Sequence, residues 1–141
     1  MTTTLKNAHS TSTRIFDAIQ KTLVAHKARH VTFEYGDAGK IKAIEFTIEI
    51  GETVYPFRLP ARVENVIKIM YGTYPSQSQK EQAYRTAWAN IRDWIAAQCA
   101  MIDIGMVKPE EVFLPYMVAH NGRTFFESMV ESKFLLESPR E

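Results

Sequence analysis

The sequence predicts an α+β domain: an N-terminal helix, a three-stranded antiparallel meander, then a helical C-terminal half packed on one sheet face. Three observations carry this. Between Arg29 and Leu59 apolar residues recur at every second position, the period of strands whose side chains alternate between two faces. On either side of that region the apolar step changes to three and four residues, which is helical. Length adds the third: 141 residues, 45% hydrophobic and 23% charged, suffice for one sizeable core and lack the signature of disorder. Residues 1–11, polar and hydroxyl-rich, are expected to form a flexible arm, and residues 12–141 a single domain.

The first helix is expected to start at Ser12 or Thr13 and to bury Ile15, Ile19 and Leu23. A first strand carries Val31, Phe33 and Tyr35 on alternate positions, and Gly36 to Lys40 supplies the turn. The second, Ile41 to Ile50, places Ile44, Phe46, Ile48 and Ile50 on one face. Gly51 and Glu52 make a tight hairpin into a third strand with Tyr55, Phe57 and Leu59 inward. Pro56 lacks an amide donor, which puts that strand at an edge. A short helix from about Ala61 to Tyr71 turns Val63, Val66, Ile67 and Met70 inward.

The longest element runs from Ser78 to Gly105, where Tyr84, Ala87, Trp88, Ile91, Trp94, Ile95, Gln98 and Ile102 form one stripe. Ser78 and Glu81 have the spacing of a capping box, and Gly105 suits the left-handed closure of a helix end. Gln98, inside the stripe, needs a hydrogen-bond partner if buried. Beyond it, Pro109 suits a helix's first turn, Pro115 ends that piece, and Thr124 with Glu127 repeats the capping box before Phe125, Phe126 and Met129.

Several function classes are disfavoured by composition. A formal net charge of +1 gives no global attraction to polyanions. Cys99 is the only cysteine, so no internal disulfide is expected, and its apolar helical setting points to a buried thiol. No stretch approaches the roughly 20 apolar residues of a membrane span, and the N-terminus lacks a secretory apolar run. A cytoplasmic protein without membrane contact is expected. The sheet face away from the helices would hold Thr32, Glu34, Ala43, Glu45, Thr47, Glu49, Val54 and Arg58, too acidic and without the rings of a nucleic-acid platform. His26 and His30 are four apart, but the chain leaves the helix between them, so no metal site is expected. No cofactor motif and no catalytic constellation emerge. Asp103, Glu110 and Glu111 are accounted for by helix ends.

Two surfaces on the long helix are candidates for function. Arg85, Trp88 and Arg92 align along it, and Arg62 and Lys68 from the preceding helix, with Lys80, extend the positive charge; guanidinium groups and an indole suit the phosphates and bases of single-stranded DNA. The opposing reading places Trp88 in the core and pairs Glu81 with Arg85. The back of the helix carries Ala89, Ala96, Ala97 and Ala100 around Asp93, small side chains that let another element approach. That element is a second helix of this chain, or a symmetric copy in a homodimer. Arg58 and Arg62 also flank the FRLPAR turn, where an anion could sit, and Phe113 to Met117 offers an aromatic interaction segment.

The segments Ala83 to Val107 (AYRTAWANIRDWIAAQCAMIDIGMV) and Glu110 to Val118 (EEVFLPYMV), with FRLPARVE at Phe57 to Glu64 and GRTFFESM at Gly122 to Met129, resemble a group of small uncharacterised bacteriophage- and prophage-encoded proteins. The resemblance implies a phage-like genomic setting and brings no catalytic residues with it. Together these readings give a non-catalytic phage accessory protein that binds DNA, single-stranded by preference, in replication or recombination. The alternative is an interaction module that self-associates or inhibits a host protein.

Overall fold

The computed structural model describes residues 2–133, with side chains from Ser12 onward. Helix α1 spans Thr2–Ala25 and is followed by β1 (Ala28–Tyr35), β2 (Ile41–Ile50) and β3 (Thr53–Pro60). Helices α2 (Val63–Tyr71), α3 (Gln77–Asp103), α4 (Pro109–Phe113) and α5 (Phe125–Glu131) follow among the described residues. The α+β class and the order of elements are those the sequence predicts. Helix α1 begins ahead of Ser12 because no proline or glycine lies in residues 2–11 to stop it. The side chains of residues 1–11, and with them the expected arm, fall outside the described ones.

The strands form one antiparallel sheet in the order β1-β2-β3. Cross-strand pairs Phe33↔Ile44, Ile44↔Leu59, Phe46↔Phe57 and Ile48↔Tyr55 put the large apolar side chains on a single face. Ile50 pairs with Thr53 across a two-residue loop, where Gly51 takes φ +66°. In β1 the register slips between Arg29 and Thr32, around His30 at φ 54°. That bulge lets Ala28 and Phe33 serve the same face despite their odd separation. The β3 edge expected from Pro56 is present, and it is partly closed: the Val118 amide donates to the Pro56 carbonyl at 2.9 Å.

Helices α1 and α3 run in the same direction over the apolar face. Phe16 meets Tyr84 and Trp88 near one end, and His26 meets Asp103 at the other. The core between them holds Ile15, Ile19, Leu23, Ile44, Phe46, Ile48, Phe57, Trp88, Ile95 and Cys99. Burial pushes the Cys99 thiol up to about 11, so it stays protonated at neutral pH, as a structural cysteine does.

Helix α3 starts earlier than expected. Ser76, not Ser78, is the cap: its hydroxyl accepts from the Gln79 amide at 3.1 Å, while Gln79 Oε1 accepts from the Ser76 amide at 2.9 Å. Both serine spacings satisfy the pattern, and the earlier one adds helical hydrogen bonds. At the other end Gly105 has φ +76°, its amide donating to Ile102 and that of Met106 to Met101, the paired closure Gly105 promised. The second capping box is where the sequence put it, with the Thr124 hydroxyl accepting from the Glu127 amide. Two inward assignments fail, although both residues share the angular position of their helices' apolar stripes. Met70, in the last turn of α2, is exposed, and Gln98 is half-buried without a side-chain hydrogen bond among the described residues.

Candidate functional site: a basic groove and an aromatic cleft

The start of β2 is held by side chains of α3. The Ile41 amide donates to the Tyr84 hydroxyl at 3.0 Å, and Trp88 Nε1 donates to the Ile41 carbonyl at 3.2 Å. Both backbone groups of one residue are thereby satisfied from the facing helix, which fixes the β1–β2 turn against the first turns of α3. The Tyr84 phenol is pushed above its usual range by burial, the hydrogen bond at Ile41 acting in the opposite direction. On its outer side Lys40 Nζ lies 4.8 Å from the Tyr84 ring centroid.

This junction divides two concave surfaces. The first, a groove of about 670 Å³, lies between the β1–β2 turn and the starts of α2 and α3. Lys40, Lys42, Arg62 and Lys80 line it, against Asp37 and Glu64 as the acids. Lys42 is partly engaged by Glu34 at 3.6 Å; no ion pair among the described residues engages Lys40, Arg62 or Lys80. The two helix starts add partial positive charge. Arg62, at the N-cap of α2, has φ 46° and ψ 50°, a left-handed conformation that costs a residue with a side chain roughly 1 kcal/mol or more. Its guanidinium lies over Phe126, 5.5 Å from the ring centroid. Nearby, Glu127 has its carboxyl held below the usual range chiefly by the hydrogen bond from the Thr124 amide, with Arg58 and Arg62 contributing.

The second surface is a cleft of about 460 Å³ on the α1 side. Phe16, Phe33, Tyr35 and Tyr84 supply rings, and Lys40, Arg85, Asp17 and Glu81 supply charge. The two surfaces share Tyr35, Ala38, Lys40, Ile41 and Tyr84.

The five residues expected to bind nucleic acid are therefore sorted into three places. Arg62 and Lys80 share the groove, and Arg85 lines the adjoining cleft. Trp88 cannot stack a base: it is 1% exposed, packed edge-on to Phe16 at 5.1 Å. Arg92 lines neither surface and bonds Asp93 at 3.0 Å. The expected Glu81–Arg85 pair is absent; Arg85 instead donates to Gln82 Oε1 at 2.6 Å. Arg58 is withdrawn from the FRLPAR turn by Glu34 at 2.8 Å.

The alanine face divides too. Ala89 is half-buried against the core, a correction to its expected place on the free face; Ala96, seven residues on and on the same side of the helix, is exposed, so what differs is the packing at each level along α3 and not the helical angle. Asp93, Ala96 and Ala100 are exposed, and no second helix covers them among the described residues. Phe113 belongs to the core at 2% exposure, so the Phe113 to Met117 segment is mainly a packing element.

Tyr35, Lys40 and Lys42 are the residues sequence reading overlooked. They sit in or beside what reads as a hairpin turn, and only the fold brings that turn to α3. The signal was Tyr35 itself, a ring at the end of an alternating strand, beyond the reach of the covering helices and 63% exposed. Among the described residues no three His, Cys, Asp or Glu side chains cluster as a metal site, and no helix is long and apolar enough to cross a membrane. Compared with known proteins, the chain matches no family model, no curated protein and no solved structure.

Proposed function

We propose that this is a non-catalytic accessory protein that binds single-stranded DNA, acting in replication or recombination within a bacteriophage or prophage setting. The observation that supports it most is the groove, where Lys40, Lys42, Arg62 and Lys80 converge with two helix starts. Converging ammonium and guanidinium groups suit a phosphate backbone, and the aromatic cleft beside them suits unpaired bases better than a duplex, whose bases are already stacked. The charge is local, which explains how a chain of net charge +1 can carry an anion-binding surface. A gel shift at low salt with single- and double-stranded oligonucleotides tests the reading. Retardation of the single strand that disappears as salt rises supports it, and two free probes refute it.

A second reading, self-association through α3 or capture of a host protein, draws support from the exposed Asp93, Ala96 and Ala100 stripe. Ile104 at 71% and Met106 at 64% exposure lie past its end. Light scattering on the purified chain decides it for the homodimer: a monomer at high concentration, unaltered by Ala96→Glu, removes self-association.

A further inference from the structure

The aromatic cleft differs from the groove in the kind of ligand it suits. Phe16 meets Phe33 edge to face at 5.5 Å and lies 6.3 Å from Tyr84, so it braces both rings. Tyr35 is braced by no ring contact among the described residues and stands exposed at the mouth. A volume of about 460 Å³ falls within the range of small-molecule pockets, roughly 300–1,000 Å³. A free aromatic face beside such a volume is what a flat heterocycle stacks on.

The walls of the cleft carry a hydrogen-bonding preference. Arg85 reaches Gln82 at 2.6 Å instead of Glu81, which leaves Glu81 without the partner its spacing promised. Neither Asp17 nor Glu81 makes a side-chain hydrogen bond or ion pair among the described residues, and both line the cleft. Ionised carboxylates only accept hydrogen bonds. Cytosine, adenine and guanine present exocyclic amino donors, whereas thymine presents carbonyl oxygens on either side of its single ring N–H. With Lys40 set over the Tyr84 ring and Arg85 turned to Gln82, the two carboxylates are the charged groups of the cleft without a partner among the described residues, and they favour an amino-bearing base over the thymine carbonyls.

Because the cleft and the groove share Tyr35, Lys40 and Tyr84, one nucleotide can place its phosphate in the groove and its base in the cleft. We propose that the cleft is a nucleobase pocket, in which Tyr35 stacks the base and Asp17 and Glu81 select one bearing an amino group. The proposal rests on the single-stranded DNA reading of the groove and adds a base preference to it.

Fluorescence anisotropy with labelled oligocytidylate and oligothymidylate of about ten deoxynucleotides, a length within the usual single-strand site sizes, separates the two claims. Wild-type protein is expected to bind the cytosine strand about tenfold more tightly than the thymine strand. The double variant Asp17→Asn with Glu81→Gln removes that preference and keeps thymine-strand binding. Tyr35→Ala weakens both strands about tenfold, as loss of a stacking ring does. Lys80→Ala weakens both by the same factor and leaves the preference intact. Equal affinity for the two strands in the wild type, or a preference that survives the double variant, overturns the pocket while leaving the groove in place. Absence of binding to either strand at low salt overturns both.

Discussion

The molecule has two aromatic clusters, built from similar side chains and finished differently. One, around Phe46, Phe57 and Phe113, stacks and crosses rings at 5.4–6.1 Å and is completed by Trp94, itself set edge-on to Phe113 and Tyr116. The segment after α3 closes it: α4 supplies Phe113, and the Met117–Val118 hook bonds to β3. The other cluster, around Phe16, Phe33, Tyr84 and Trp88, buries its indole but leaves Tyr35 and a cleft open to solvent. The sealed cluster maintains the fold. Where rings remain uncovered beside unpaired cations, the same chemistry becomes available to a ligand.

The comparison breaks most visibly on the sealed side. Phe113→Ala opens a cavity among three ring partners and is expected to cost about 3–5 kcal/mol, read as a lowered denaturant midpoint. The surviving folded fraction should bind an oligonucleotide as the wild type does. Trp88→Phe keeps a ring against Phe16 but leaves the Ile41 carbonyl without its donor. A loss of about 1–3 kcal/mol is expected, again by denaturation. Arg62→Ala with Lys80→Ala should invert the pattern, lowering oligonucleotide affinity about tenfold or more with stability within about 0.5 kcal/mol of wild type. If that pair changes melting and not binding, the contrast between a structural and a ligand-facing end is wrong.

Smaller effects are expected where α1 and α3 end together. His26 Nδ1 lies 2.7 Å from the Thr22 carbonyl and Nε2 3.0 Å from Asp103 Oδ2, so a doubly protonated ring can donate to both. Its pKa is raised above 6.5, first by the Asp103 hydrogen bond and then by that to Thr22. A raised folded-state pKa contributes stability fully below the unfolded value of 6.5, and that contribution fades as pH rises through the folded value. His26→Asn should therefore lower the melting temperature more at pH 5.5 than at pH 8.5. The difference should correspond to less than about 1 kcal/mol for a surface helix-end interaction. A difference of the opposite sign would contradict the assignment.

The sheet and the long helix were legible because alternation and helical spacing are local properties. Ile44, Phe46 and Ile48, and the Thr124–Glu127 cap, all follow from short stretches of chain. Failures came where two local patterns compete or where a partner lies far away in sequence. Ser76 and Ser78 both offer a cap, and the sequence cannot rank them. Glu81 has the right spacing for Arg85, but Gln82 is an equal competitor. The candidate groove was half legible: Arg62 and Lys80, which line it, stand out in the sequence, while Lys40, Lys42 and Tyr35 join it only through the contact of a turn with α3 across more than forty residues, set by the Tyr84–Ile41 bond. Trp88 illustrates the limit, for a large amphipathic ring at the edge of a stripe is compatible with either role until the opposite wall is known.

The salt dependence of single-strand binding tests the central claim most directly. If the four cations of the groove hold phosphates, the plot of log affinity against log salt should have a slope of about −3. In the Arg62→Ala, Lys80→Ala protein it should fall to about half that, roughly −1.4. An unchanged slope in the double variant, or no binding by wild-type protein at low salt, would contradict the account.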